Sequence, residues 1–200
     1  MEMKKFLIFL LLSSLVLIAG CVKEEKGFRL EGKSILMIIA HKNFRDEEFQ
    51  KPYDIFTDSG AKVTIASSSL EEAIGMLGKK VKPDILLEDV NVEEYDAIIF
   101  VGGSGATEYF EDPAALQIAK QAYEKGKIIG AICIAPSILA NAGILEGRRA
   151  TSYVSEKSNL EAHGAIFTGK NVEVDGNIVT ANGPHAAKKF GETIAELLQS

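Results

Sequence analysis

The first residue in this chain with chemistry to offer is Cys133, because of where it falls rather than because it is a cysteine. A short apolar run (Ile128, Ile129, Ala131, Ile132) leads into it, and Pro136 and a helical pattern from Ser137 to Ala142 follow. The run reads as a fully buried strand. Pro136 suits a first helical turn, where its missing N–H costs nothing. A side chain on such a strand-to-helix turn projects from the carboxyl end of a sheet, toward unpaired helix N–H groups. Those groups favour negative charge, so the thiol is expected to ionise more easily than free cysteine, whose pKa is about 8.5. The competing reading is a buried cysteine acting as a small hydrophobe.

A thiol nucleophile also needs donors for an oxyanion and a proton acceptor within reach. Gly102 and Gly103 follow an apolar run and have no side chains to keep a substrate from their N–H groups. Glu47 and Glu48 stand near the start of a helical segment. A carboxyl beside a thiolate has its pKa raised by the like charge, so the two can share one proton.

These residues need a scaffold, and the rest of the chain describes one. Apolar strands are predicted over Ser34–Ala40, Lys62–Ala66, Tyr95–Val101 and the run before Cys133, with a further strand over Gly147–Tyr153. Helices are predicted over Asp46–Ser59, Pro113–Lys125, Glu156–His163 and about Ala186–Leu198, and irregular strands or a hairpin over Glu72–Val90. Val172–Thr180 reads as a hairpin about its Asp-Gly turn. Strands alternating with helices imply a mostly parallel sheet covered on both faces, which binds ligands beyond the carboxyl ends of its strands. His41–Glu48, Gly102-Gly103 and Cys133 all fall at such ends.

The opening of the chain is read separately. Lys4 and Lys5 precede an apolar run from Phe6 to Leu17, and Ile18-Ala-Gly-Cys21 follows. This order describes a secretory signal over residues 1–20, too short for a membrane span. Its last four residues resemble a lipoprotein signal, with Cys21 as the lipidated residue and a charged tether to residue 32. An extracytoplasmic protein held to the membrane by that lipid, or secreted, is the expectation.

The remaining chain, from residue 33 to 200, suffices for one domain. Without Glu2, Lys4 and Lys5 the formal charge moves from −6 to −7, and no basic run remains, which argues against nucleic acid as a partner. Three histidines and two cysteines without ligand spacing give no reason to expect a metal, and no cofactor is expected.

The combination of segments resembles the ThiJ/PfpI superfamily, which includes the Parkinson-associated deglycase and the archaeal PfpI-type peptidases. The resemblance runs from about Lys33 to Leu198. It rests on Arg45-Asp-Glu-Glu-Phe-Gln-Lys-Pro52, Tyr95-Asp with Val101-Gly-Gly103, Ala131-Ile-Cys-Ile-Ala-Pro136, Gly147-Arg-Arg-Ala-Thr-Ser-Tyr153, and Asp175-Gly-Asn-Ile-Val-Thr180 with Gly183-Pro184. It implies a flavodoxin-like three-layer α/β sandwich, similar to class I glutamine amidotransferases and dimeric or larger. It matches Glu48, not Glu47, to the family's carboxyl partner of the cysteine. Gly103 and the Ile134 N–H match the oxyanion hole, and Tyr153 a site-lining position.

One departure bears on activity. Peptidase-type members carry histidine directly after the cysteine, where this chain has Ile134. His185, after Gly183-Pro184, and His41, after the first strand, are the candidates to replace it, against the plainer reading of exposed or structural histidines. The resemblance therefore implies glyoxalase- or deglycase-like action of Cys133 on small carbonyl or acyl compounds. The alternatives are a PfpI-type peptidase or amidase, a redox sensor or stress chaperone whose cysteine is oxidised, and a solute-binding lipoprotein.

Overall fold

The computed structural model describes residues 27–200; the expected signal over residues 1–20, Cys21 and the first part of the expected tether lie outside the described residues. In chain order the elements are β1 (Ser34–Ile38), α1 (Asp46–Asp58), β2 (Lys62–Ser67), β3 (Ala73–Ile74), β4 (Lys80–Val81), β5 (Ile85–Leu86) and β6 (Ala97–Phe100). There follow α2 (Pro113–Glu124), β7 (Ile128–Ile132), α3 (Pro136–Asn141), β8 (Arg149–Ala150), α4 (Lys157–Ala162), β9 (Ile166–Phe167), β10 (Val172–Asp175), β11 (Ile178–Ala181) and α5 (Ala187–Gln199).

Seven strands form the main sheet in the order β10-β11-β7-β6-β1-β2-β5, parallel except for the edge strand β10. The strands β1, β6 and β7 are almost wholly apolar and buried, as a parallel sheet covered on both faces requires. Helices α1 and α5 pack together on one face, and α2 and α3 cover the other, with α4 against α3. This is the flavodoxin-like sandwich. From β1 the chain runs outward through β2 to β5, then returns to lay β6, β7 and β11 on the opposite side. The crevice opened by that reversal lies between β1 and β6, and the loops after β1, β6 and β7 meet above it.

Three segments depart from expectation. Only Arg149–Ala150 of the stretch 147–153 is strand, and it pairs with β9 outside the main sheet. Side chains take up its donors: Arg149 N–H donates to Asp175 Oδ2 (2.9 Å) and Thr151 N–H to Thr180 Oγ1 (2.9 Å). The stretch 72–90 splits into a β3–β4 hairpin and the short β5 that extends the sheet edge. The packed domain also begins before Lys33, since Leu30 is fully buried and Phe28 lies against the core.

Candidate functional site

Cys133 sits at the tip of the turn between β7 and α3, with φ of 64°. Left-handed backbone is unfavourable for any residue with a Cβ, so the surroundings must hold it there. They do so from two sides. Cys133 N–H donates to Ala181 O at the end of β11 (2.8 Å), and Cys133 O accepts from Tyr153 N–H (2.7 Å). The side chain is left half-buried, facing the crevice.

The carboxyl of Glu48 closes the inner side. It projects from the first turn of α1, is fully buried, and neither oxygen has a hydrogen-bond partner of normal geometry. The Cys133 thiol and Gly102 N–H nonetheless face it closely enough to act on its charge. Gly102 is the wedge between them. A Cβ there would lie 2.4 Å from Glu48 Oε2, 2.5 Å from Ile132 O and 2.6 Å from Cys133 Cβ. Gly103, at φ 100°, turns the chain so that its N–H, with that of Ile134, points at the Cys133 sulfur.

Burial pushes Glu48 up to about 8, with Cys133 and Arg45 pulling against it. Burial, and next the charge of Glu48, push the Cys133 thiol up to about 12, against the N–H groups of Gly103 and Ile134. The expectation of an easily ionised thiol is therefore corrected. Helix α3 is only six residues long, and its N–H groups do not offset a dry site with a carboxylate beside the sulfur. At neutral pH the resting pair keeps its protons, and Glu48 is the group poised to exchange one.

Glu47 does not join the pair: Arg45 Nε holds its Oε2 at 2.8 Å on the outside of α1. Tyr153 flanks the elbow through its backbone, and its ring is about half exposed beside Val154. Neither histidine is among the groups acting on the thiol or on Glu48. His41 lies on the β2 side, its N–H donating to Glu108 Oε1 (3.2 Å) and its Nδ1 shut from solvent without a partner. His185 is exposed on the loop between β11 and α5, with Nε2 3.3 Å from Asn171 Oδ1. Among the described residues no His, Cys, Asp and Glu cluster could hold a metal, and no helix is long and apolar enough to cross a membrane.

No sequence motif singles out Asn171 or Asn182, and Asp46 is marked only as the start of a helix. The two asparagines are bonded to each other beside His185, and nothing in their spacing marks it. Asp46 accepts from Leu77 N–H and Lys79 N–H (both 2.8 Å), fastening the β3–β4 hairpin to the start of α1 two residues before Glu48. An aspartate at a helix start would have flagged the contact only had the hairpin's position been known.

Comparison with known proteins agrees with this architecture. The DJ-1/PfpI family matches residues 33–197. The protein MJ0967 of Methanocaldococcus jannaschii is 37% identical over 202 residues, covering 98% of each chain. Deglycase PfpI of Pyrococcus furiosus is 32% identical, covering 74% of this chain and 90% of its own. The glutathione-independent glyoxalase DJR-1.2 of Caenorhabditis elegans is 30% identical, covering 84% and 89%. Among solved structures, the ThiJ/PfpI domain protein of Brachyspira murdochii superposes with a TM-score of 0.81 at 36% identity, covering 84% of this chain and 98% of that one. The chain belongs to the DJ-1/PfpI family.

Proposed function

We propose that this protein is a cysteine-dependent enzyme that acts on small carbonyl compounds by glyoxalase- or deglycase-type chemistry. The observation that carries the reading is one sulfur, at a strained elbow, faced by a buried carboxyl on one side and two backbone N–H groups on the other. On an α-oxoaldehyde the chemistry runs without an external oxidant. Glu48, with its pKa at about 8, is ionised in a minority of molecules at neutral pH. In these the sulfur adds to the aldehyde carbon as the thiol proton passes to the carboxylate, and the Gly103 and Ile134 N–H groups hold the oxyanion. A proton then moves from that carbon to its neighbour, and Glu48 passes the thiol's proton on to the neighbour's oxygen, leaving a thioester beside a hydroxyl-bearing carbon. Water cleaves the thioester to a 2-hydroxy acid and the free thiol, so the aldehyde carbon is oxidised and the adjacent carbonyl carbon reduced. Glyoxalase and deglycase relatives support the substrate class, and Ile134 after the cysteine supports it over proteolysis. The raised thiol pKa weighs against a sensor that depends on ready oxidation of a resting thiolate.

Two further parts belong to the proposal. The leader pattern supports a lipid-anchored, extracytoplasmic protein. Leu70, Ile74, Met76 and Leu77 give the hairpin region an exposed apolar surface that supports a homodimer.

The test is methylglyoxal consumption with hydroxy-acid formation by the wild type and by Cys133→Ala. Turnover in the wild type alone, with an adduct mapped to Cys133, is the expected result. Equal turnover by both proteins would remove the mechanism.

A further inference from the structure

The site as described handles protons only on its inner side, yet its last step consumes water. Glu48 is fully buried, behind Gly102 and the sulfur, and cannot meet a molecule arriving from solvent. The outer side carries one ionisable group whose orientation is fixed by neighbours that have no other evident purpose.

That group is His185. Asn171 Oδ1 faces two nitrogens, Asn182 Nδ2 at 3.2 Å and His185 Nε2 at 3.3 Å. Asn182 N–H also donates to Asn171 O (3.0 Å), so the two asparagines are locked by backbone as well as side chain. An amide oxygen only accepts, and a bare imidazole nitrogen would repel it, so the pairing requires the proton on Nε2. Nδ1 is then left with a free lone pair. It lies 3.9 Å from where a Cβ on Gly183 would stand, and Tyr153 Cδ2 lies 4.0 Å from the same point. Gly183, at φ 149° and ψ −170°, is in a conformation that essentially only glycine adopts. His185 Nδ1 and Tyr153 Cδ2 thus flank a gap on the Cβ side of Gly183, and the Tyr153 N–H holds the Cys133 carbonyl. Lys51 Nζ reaches Pro184 O (3.4 Å), tying this loop to α1 one turn beyond Glu48. Beside the gap, Asn182 Oδ1 is shut from solvent without a donor.

We infer that His185 is the base for the hydrolytic half of the reaction, a role that rests on the carbonyl-enzyme reading above. Its Nδ1 takes a proton from a water molecule in the gap as that oxygen bonds to the thioester carbon. The carbon–sulfur bond breaks, and the departing sulfur takes the water's proton back from the imidazolium. The new carboxylic acid loses its own proton to solvent. Asn171 is a positioning residue that holds the tautomer. The two proton carriers therefore divide the cycle, Glu48 serving bond formation to sulfur and His185 serving release from it.

The experiment follows turnover of methylglyoxal and the mass of the adduct on Cys133 in the wild type, His185→Ala and Asn171→Ala. For His185→Ala the adduct should form at the wild-type rate and accumulate, with turnover down about 10²-fold. Added imidazole should restore turnover, since a small base can enter the space vacated. Asn171→Ala should show a smaller accumulation, because the ring then takes either tautomer. Hydrolysis by His185→Ala at the wild-type rate would overturn the inference. So would a loss of turnover without accumulation and without rescue, which would mean that the loop only shapes the site. Absence of any Cys133 adduct in the wild type would instead overturn the reading of the site, and the role of His185 with it.

Discussion

The two walls of the Cys133 crevice are built on different rules. The inner wall is made of Glu48, Gly102 and Gly103, packed until a single added carbon would collide with backbone and carboxyl alike. The outer wall is made of Ile134, Tyr153, Val154 and His185, all exposed except the half-buried Ile134. The proposed function puts reactivity on the side where geometry has no slack, because proton transfer and oxyanion contacts fail over fractions of an ångström. Under the same proposal, choice of substrate falls to the side that can change without unfolding anything.

The sharpest way to break this contrast is at the carboxyl. Glu48→Gln keeps the shape of the inner wall and removes its proton carrier, so turnover should fall ~10²–10⁴-fold. Thiol alkylation should keep pace with pH through about 8 in the wild type and lose that inflection in the variant. Next is the wedge. Gly102→Ala forces Ile132 O and Cys133 apart and should cost about 1–3 kcal/mol of stability, with turnover down ~10²-fold. Chemical denaturation and steady-state kinetics together check it, and a variant that keeps both values would show that the inner wall has slack after all.

A third effect follows from the raised pKa of Glu48. A carboxyl that holds its proton more tightly when folded favours the native state at low pH and loses that advantage as pH rises from about 4.5 to about 8. The melting temperature of Glu48→Gln, relative to wild type, should therefore climb between pH 5 and pH 8. The difference in stability should be on the order of 3 kcal/mol. A constant difference across that range would mean that Glu48 is not dry. The outer wall predicts smaller changes. Tyr153→Ala should alter KM more than kcat, by several-fold. Val154→Ser should leave stability within about 0.5 kcal/mol of wild type, because 70% of Val154 is already in solvent.

The sheet was largely legible in the chain because its strands are apolar without interruption, and a parallel sheet covered on both faces demands that pattern. Cys133 and Gly102-Gly103 were legible for a related reason, as breaks at the ends of such strands. Glu48 could be told from Glu47 only by family resemblance, since both fall in the same helical turn and the structure alone shows one turned inward and one paired with Arg45. The thiol pKa was misjudged because a strand-to-helix junction announces helix N–H groups, whereas burial and a neighbouring charge are properties of packing. The stretch 147–153 reads as one strand, but only Arg149–Ala150 pairs, and the Arg149 backbone N–H is claimed by Asp175, 26 residues away. The Asn171–Asn182–His185 cluster joins the loops at either end of a hairpin, and no local pattern records that closure.

The backbone of Cys133 carries a last consequence, for how such a chain can drift. At φ 64° a glycine would relieve ~1–2 kcal/mol of steric cost that any other residue must bear. Selection for thermal robustness alone would therefore erase the thiol and leave a sturdier, silent protein. Under the proposed function, a homologue with glycine at this position should melt higher and turn nothing over, and cysteine here is what a fold kept for that chemistry would retain.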